Sequence, residues 1–102
     1  MGKVGDSERK VAQRFLDSPK AVFNIGATYW NEKQFAKAEE AFRRAVTLDP
    51  SFAQAWKSLG YALLNDGKTD EAIKAFGKYV ELEPSSPDAA ELKKMIKDLG
   101  PQ

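Results

Sequence analysis

Apolar side chains in this chain recur at the spacing of a helix, not of a strand. Val22, Ile25, Gly26 and Tyr29 stand at i, i+3, i+4 and i+7, and Trp56, Leu59, Gly60 and Leu63 repeat the arrangement. Residues at that spacing share one face, so each stretch predicts an amphipathic helix. Two more one-sided stripes follow: Phe35, Ala38, Ala41, Phe42, Ala45 and Val46, then Ala72, Ala75, Phe76, Tyr79 and Val80. After Pro87 the pattern returns at Leu92, Met95, Ile96 and Leu99, with Lys93, Lys94 and Lys97 on the other side. Before the first stripe, residues 7–17 carry Val11, Ala12, Phe15 and Leu16, predicting a short N-terminal helix. No stretch alternates convincingly at the period of a strand, so the fold class is all-α.

The breaks between stripes are chemically specific. Asn65-Asp66-Gly67 separates one pair, and its glycine can take the left-handed conformation that closes a helix. The corresponding Asn31-Glu32-Lys33 has no glycine, so equal geometry would put Lys33 at positive φ, at a cost of about 1 kcal/mol. The second helices end in Leu48-Asp49-Pro50 and Leu82-Glu83-Pro84, where proline stops the helix. Gly100-Pro101 supplies the last stop.

These breaks and stripes coincide when the chain is shifted by 34 places. Ala21/Ala55, Gly26/Gly60, Asn31/Asn65, Ala38/Ala72, Ala41/Ala75, Phe42/Phe76, Val46/Val80, Leu48/Leu82, Pro50/Pro84 and Ser51/Ser85 are identical pairs. A fixed period of that size marks stacked helix-turn-helix units. With Val22, Ile25, Gly26, Tyr29, Ala38, Phe42, Ala45 and Pro50 in one unit and Trp56, Leu59, Gly60, Leu63, Ala72, Phe76, Tyr79 and Pro84 in the next, the sequence resembles the tetratricopeptide repeat (TPR) family. The resemblance implies an α-α superhelix of two repeats, 19–52 and 53–86, in a single domain 1–102, with residues 7–17 before them. Lys93 and Lys94 replace the Leu and Gly a third repeat wants, so 87–99 resembles the solvating helix that closes such arrays. Gly26 and Ala38 are expected to let paired helices approach closely, with Phe42 and Phe76 filling the space between pairs.

Composition narrows the function classes. Sixteen basic against fifteen acidic residues leave a net charge of +1, which creates no field to gather nucleic acid or anionic membrane. The absence of Cys and His removes thiolate and imidazole catalysis, the usual zinc ligands and disulfides. No cofactor or metal is called for, and an enzyme is not expected. No apolar run approaches a membrane span. Met1-Gly2 does not begin a myristoylation signal, because Asp6 stands where Ser or Thr is required. A cytoplasmic protein, or a domain excised from a longer one, fits this composition.

The first helices are more apolar than one buried stripe requires. Phe23, Ala27 and Trp30 form a second stripe, continued in the next unit by Lys57, Tyr61 and Leu64. The family resemblance implies that this side lines a concave groove for a protein or peptide partner. Carried over by position, the wall is Lys20, Phe23, Asn24, Ala27, Trp30 and Asn31, then Gln54, Lys57, Ser58, Tyr61, Leu64 and Asn65, with Asp88, Glu91 and Met95 added by the last helix. The residues equally allow Phe23 and Trp30 to be core, covered by the N-terminal helix or by the neighbouring first helix. Some family members grip chaperone tails with Lys and Asn in a two-carboxylate clamp. Phe23, Ala27, Ser58, Asp88 and Leu92 occupy those places here, so the clamp is absent. Glu39 and Glu40, with Arg43 and Arg44 nearby, are expected to solvate their helix. A second function class remains open: self-association, giving a homodimer through an uncapped end or an exchanged terminal helix.

Overall fold

The computed structural model describes residues 17–100. Within them lie five helices: α1 Pro19–Asn31, α2 Phe35–Leu48, α3 Ala53–Asn65, α4 Thr69–Leu82 and α5 Pro87–Leu99. The chain is an all-α array of two helix pairs followed by a capping helix, as the period predicts. Of the expected N-terminal helix, residues 7–16 lie outside the described residues, and Asp17 stands in a turn.

Local chemistry sets these boundaries. Ser18 accepts a hydrogen bond from the Ala21 amide at 3.2 Å, and Ser86 accepts one from Ala89 at 3.1 Å. Each serine satisfies one of the orphan donors at a helix start. The next residue is proline in both cases, and proline has no N–H to lose in the first turn. The ends of α1 and α3 share one design. The Gln34 amide donates to Tyr29 O at 2.9 Å and Lys33 to Trp30 O at 3.0 Å; Lys68 to Leu63 O and Gly67 to Leu64 O, at 2.9 and 3.1 Å, repeat it. This closure needs a left-handed residue, and both Gly67, at φ 76°, and Lys33, at φ 62°, adopt it.

Consecutive helices pack against one another from α1 to α5. Inside each pair, an aromatic ring from the second helix lies on the glycine of the first. A methyl group built on Gly26 would stand 2.6 Å from a ring carbon of Phe42 and 3.2 Å from the Ala41 methyl. Gly60 stands in the same relation to Phe76, which is fully buried. Phe42 and Phe76 therefore seal their own pairs, where the sequence placed them between pairs. The core continues through Leu59, Leu63, Ala72, Ala75 and Tyr79 to Leu92 of α5. Ile25 and Tyr29, expected as core, are half-buried.

One charged residue is drawn into this packing. Glu39 is only 7% exposed, and its carboxylate accepts from Arg43 at 3.2 Å and Lys68 at 3.1 Å. Arg43 also reaches Glu71 at 3.0 Å. Glu39 thus ties α2 to the start of α4, a role different from the solvation expected of it. A buried carboxylate persists only with such partners.

Replacing Lys33 by Gly removes the left-handed strain. The gain is partly offset by glycine's greater freedom in the unfolded chain, leaving about 0.5–1 kcal/mol of stabilisation, seen as a higher melting temperature. Gly26→Ala forces a methyl into the Phe42 ring and is expected to cost about 1–3 kcal/mol by chemical denaturation.

Candidate functional site

The first helices α1 and α3 stand side by side, and two hollows lie along their common side. The smaller, about 180 Å³, is lined by Ala27, Trp30, Asn31, Phe42, Ser58 and Tyr61. It spans both repeats, with Trp30 half-buried on one wall and Tyr61, 39% exposed, on the other. The Tyr61 ring is braced edge-on against Phe76 at 5.1 Å, and Trp30 against Phe35 at 4.9 Å. Rings held this way are rigid contact surfaces with little conformational entropy left to lose.

The larger hollow, about 510 Å³, lies at the start of α1 and is lined by Ser18, Pro19, Lys20, Phe23, Asn24, Asp49 and Phe52. Phe23 is the hinge of this region. Its ring is 5.5 Å from Phe42 on one side and 5.1 Å from Phe52 on the other. Both Phe23 and Phe52 are half-buried, so each is partly core and partly wall.

Eight of the predicted wall residues thus come together: Lys20, Phe23 and Asn24 in one hollow, and Ala27, Trp30, Asn31, Ser58 and Tyr61 in the other. Gln54 and Asn65 are exposed outside both hollows, and Leu64 is half-buried against the core. Lys57 is placed differently from a solvated lysine. Its side chain is 19% exposed, and its ammonium bonds to Asp88 of α5 at 2.7 Å and sits 5.4 Å over the Tyr79 ring. It locks the capping helix to α3.

Phe52 was legible in the sequence and was missed. The residues just before α1, α3 and α5 are Ser18, Phe52 and Ser86, at the 34-residue period. Two of them cap their helices, while Phe52 makes no side-chain cap. Giving up a capping serine costs about 1 kcal/mol. The ring put there instead floors the larger hollow.

The hydrogen bond to Asp88 is the main cause that raises the Lys57 pKa above its ordinary value, against partial desolvation. The same bond holds the Asp88 carboxyl below the usual carboxylate range. A depressed carboxyl stabilises the fold above its unfolded pKa and loses that contribution as pH falls through the folded value. The melting-temperature gap between the parent and Asp88→Asn is therefore expected to be open at neutral pH. It should narrow on acidification below about pH 4.

Comparison with known proteins agrees with this architecture. The tetratricopeptide repeat profile matches residues 7–51 and 23–90. The small glutamine-rich tetratricopeptide repeat-containing protein 2 of Mycosarcoma maydis is 34% identical over 70 residues, which cover 69% of this chain and 20% of that protein. The peroxisomal targeting signal receptor of Kluyveromyces lactis is 31% identical over 67 residues, covering 66% of this chain and 12% of the receptor. This chain therefore spans a minor part of the length of either relative. Among solved structures, MamA superposes with a TM-score of 0.75 at 24% identity, over 81% of this chain and 48% of that one. The first TPR of Spaghetti (RPAP3), solved bound to HSP90 peptide SRMEEVD, gives 0.73 at 30% identity, over 80% of this chain and 65% of its own. Repeat period, paired-helix packing and sequence likeness converge: the chain belongs to the tetratricopeptide repeat family.

Proposed function

We propose that this chain holds a short, apolar-anchored segment of a partner protein along the shared side of α1 and α3. The observation that carries the reading is the pair of aromatic-walled hollows there, one of them floored by a phenylalanine in the place of a capping serine. Local rules of stability are broken most often where function demands it. Half-exposed aromatics backed by a rigid core are also the side chains that dominate protein interfaces.

The type of anchor follows from the lining. A structural relative holds HSP90 peptide SRMEEVD, whose end is acidic. The places where the family's carboxylate clamp would put Lys and Asn hold Phe23, Ala27 and Ser58 here, followed by Asp88, an acid, and Leu92, which is buried. Lys57 is committed to Asp88, leaving Lys20 as the basic group on the hollows' rim. Such a surface favours Leu-, Phe- or Trp-type anchors, with backbone groups of the guest bonded by Asn24, Asn31 and Ser58.

Selection from a random peptide library, with intrinsic fluorescence of Trp30 as one readout, tests this. Apolar anchors are expected to be enriched. Tyr61→Ala and Phe52→Ser should each weaken the selected peptides about tenfold or more, the size of a modest hot spot. Phe52→Ser regains a helix cap, so its melting temperature should stay near that of the parent. Enrichment of acidic tails, or affinity unchanged in both variants, would sink the proposal.

A further inference from the structure

The first helices carry almost no charge, so the two charges they do carry are informative. Lys20 is the single charged residue of α1 and Lys57 the single one of α3. Both stand by the hollows. Lys20 lines the larger one, and Lys57 lies one helical turn before Tyr61, a wall of the smaller, whose hydroxyl is within electrostatic reach of the ammonium. Two unanswered ammonium groups on this side would draw any acidic segment. Only one is left open. Lys20 is exposed, whereas Lys57 bonds to Asp88 at 2.7 Å and sits 5.4 Å over the Tyr79 ring.

We propose that Asp88 determines specificity on this surface: its carboxylate takes the Lys57 ammonium in place of a guest's, so that acidic segments are turned away. The inference rests on the shared side of α1 and α3 being where a guest is held. The two repeats show what the ion pair replaces. A shift of 34 places sets Lys57 on Phe23 and Asp88 on Gln54. In the first repeat that corner is uncharged, with Phe23 against Phe52 at the edge of the larger hollow and Gln54 exposed beside them. One repeat later it is closed by charge.

A guest acid is at a disadvantage there for three reasons. Asp88 is part of the chain, so its carboxylate is always at hand, at an effective concentration that a free peptide does not match. It also stands in the first turn of α5, where the helix favours an anion. Finally, the Lys57 side chain is 19% exposed and that of Asp88 47%, so the corner turns chiefly its acid outward. An approaching carboxylate meets like charge before it meets the lysine.

The heptapeptide SRMEEVD, which a structural relative holds, and its neutral counterpart SRMQQVN with an amidated end serve as probes. Each is labelled at its N-terminus and titrated against the full chain by fluorescence anisotropy. In Asp88→Asn the ratio of the two affinities is expected to move about tenfold or more towards the acidic peptide. Loosening of the cap alone would weaken both peptides together and leave that ratio where it was. Adding Lys57→Gln should abolish the shift, and raising the salt concentration should shrink it. No gain for the acidic peptide in Asp88→Asn, binding of neither peptide included, or a gain that survives Lys57→Gln, would overturn the proposal. Tyr61→Ala keeps it apart from the wider reading. Affinities unmoved by Tyr61→Ala, with the Asp88→Asn shift intact, would uphold Asp88 and remove the hollows as the guest's seat; weakening of both peptides without that shift would do the reverse.

Discussion

The contact on which the rest of this structure depends is a phenyl ring lying on a glycine. In each repeat the second helix can approach the first only because Gly26 or Gly60 has no side chain where Phe42 or Phe76 must lie. Glycine inside a helix is destabilising by roughly 0.5–1 kcal/mol relative to alanine. The close packing it permits more than offsets that cost, because a buried aromatic contributes several times as much. Both contacts occur at the same place in each repeat, and so fix the geometry that the stacking of repeats builds on.

Stacking adds a second constraint. A helix pair leaves apolar surface at both ends, which must be covered by a neighbour or a cap. At the C-terminal end α5 does this with Ala89 and Leu92, 1% exposed each, while its three lysines face outward. The Lys57–Asp88 bond and the Tyr79–Ser86 hydroxyl contact at 3.0 Å orient that cap. Glu39 works similarly between the repeats. Each polar tie lies beside an apolar interface and adds direction to a contact that burial alone leaves unoriented.

The aromatic-walled side of the first helices arises from the same geometry. A first helix that packs on its partner by one stripe and on its neighbour by another has a third side left over. On that side Phe23 and Tyr61 lean on the core rings of Phe42 and Phe76, and Trp30 leans on half-buried Phe35, each keeping an edge in solvent. Partial burial makes them stiff without hiding them. Phe52 extends this strip at the expense of a helix cap, a local loss of stability beside the larger hollow.

The helices among the described residues, most of their ends and their order were legible in the sequence, because each depends on local chemistry: apolar spacing, the Leu-acid-Pro stops and the left-handed position that even Lys33 adopts. The repeat also copies each first-helix position into an equivalent place, and eight of the twelve residues named on α1 and α3 line the two hollows. Tertiary structure alone decided the rest. Whether Lys57 is a solvated charge or a strut depends on where α5 places Asp88, thirty-one residues away. Whether Glu39 is exposed depends on Lys68 arriving from the next repeat. Ile25 and Leu59 hold the same place in the same pattern, yet one is half-open and the other sealed. A periodic sequence tells each residue which way it points within its own repeat; what stands on the other side belongs to the next element along the stack.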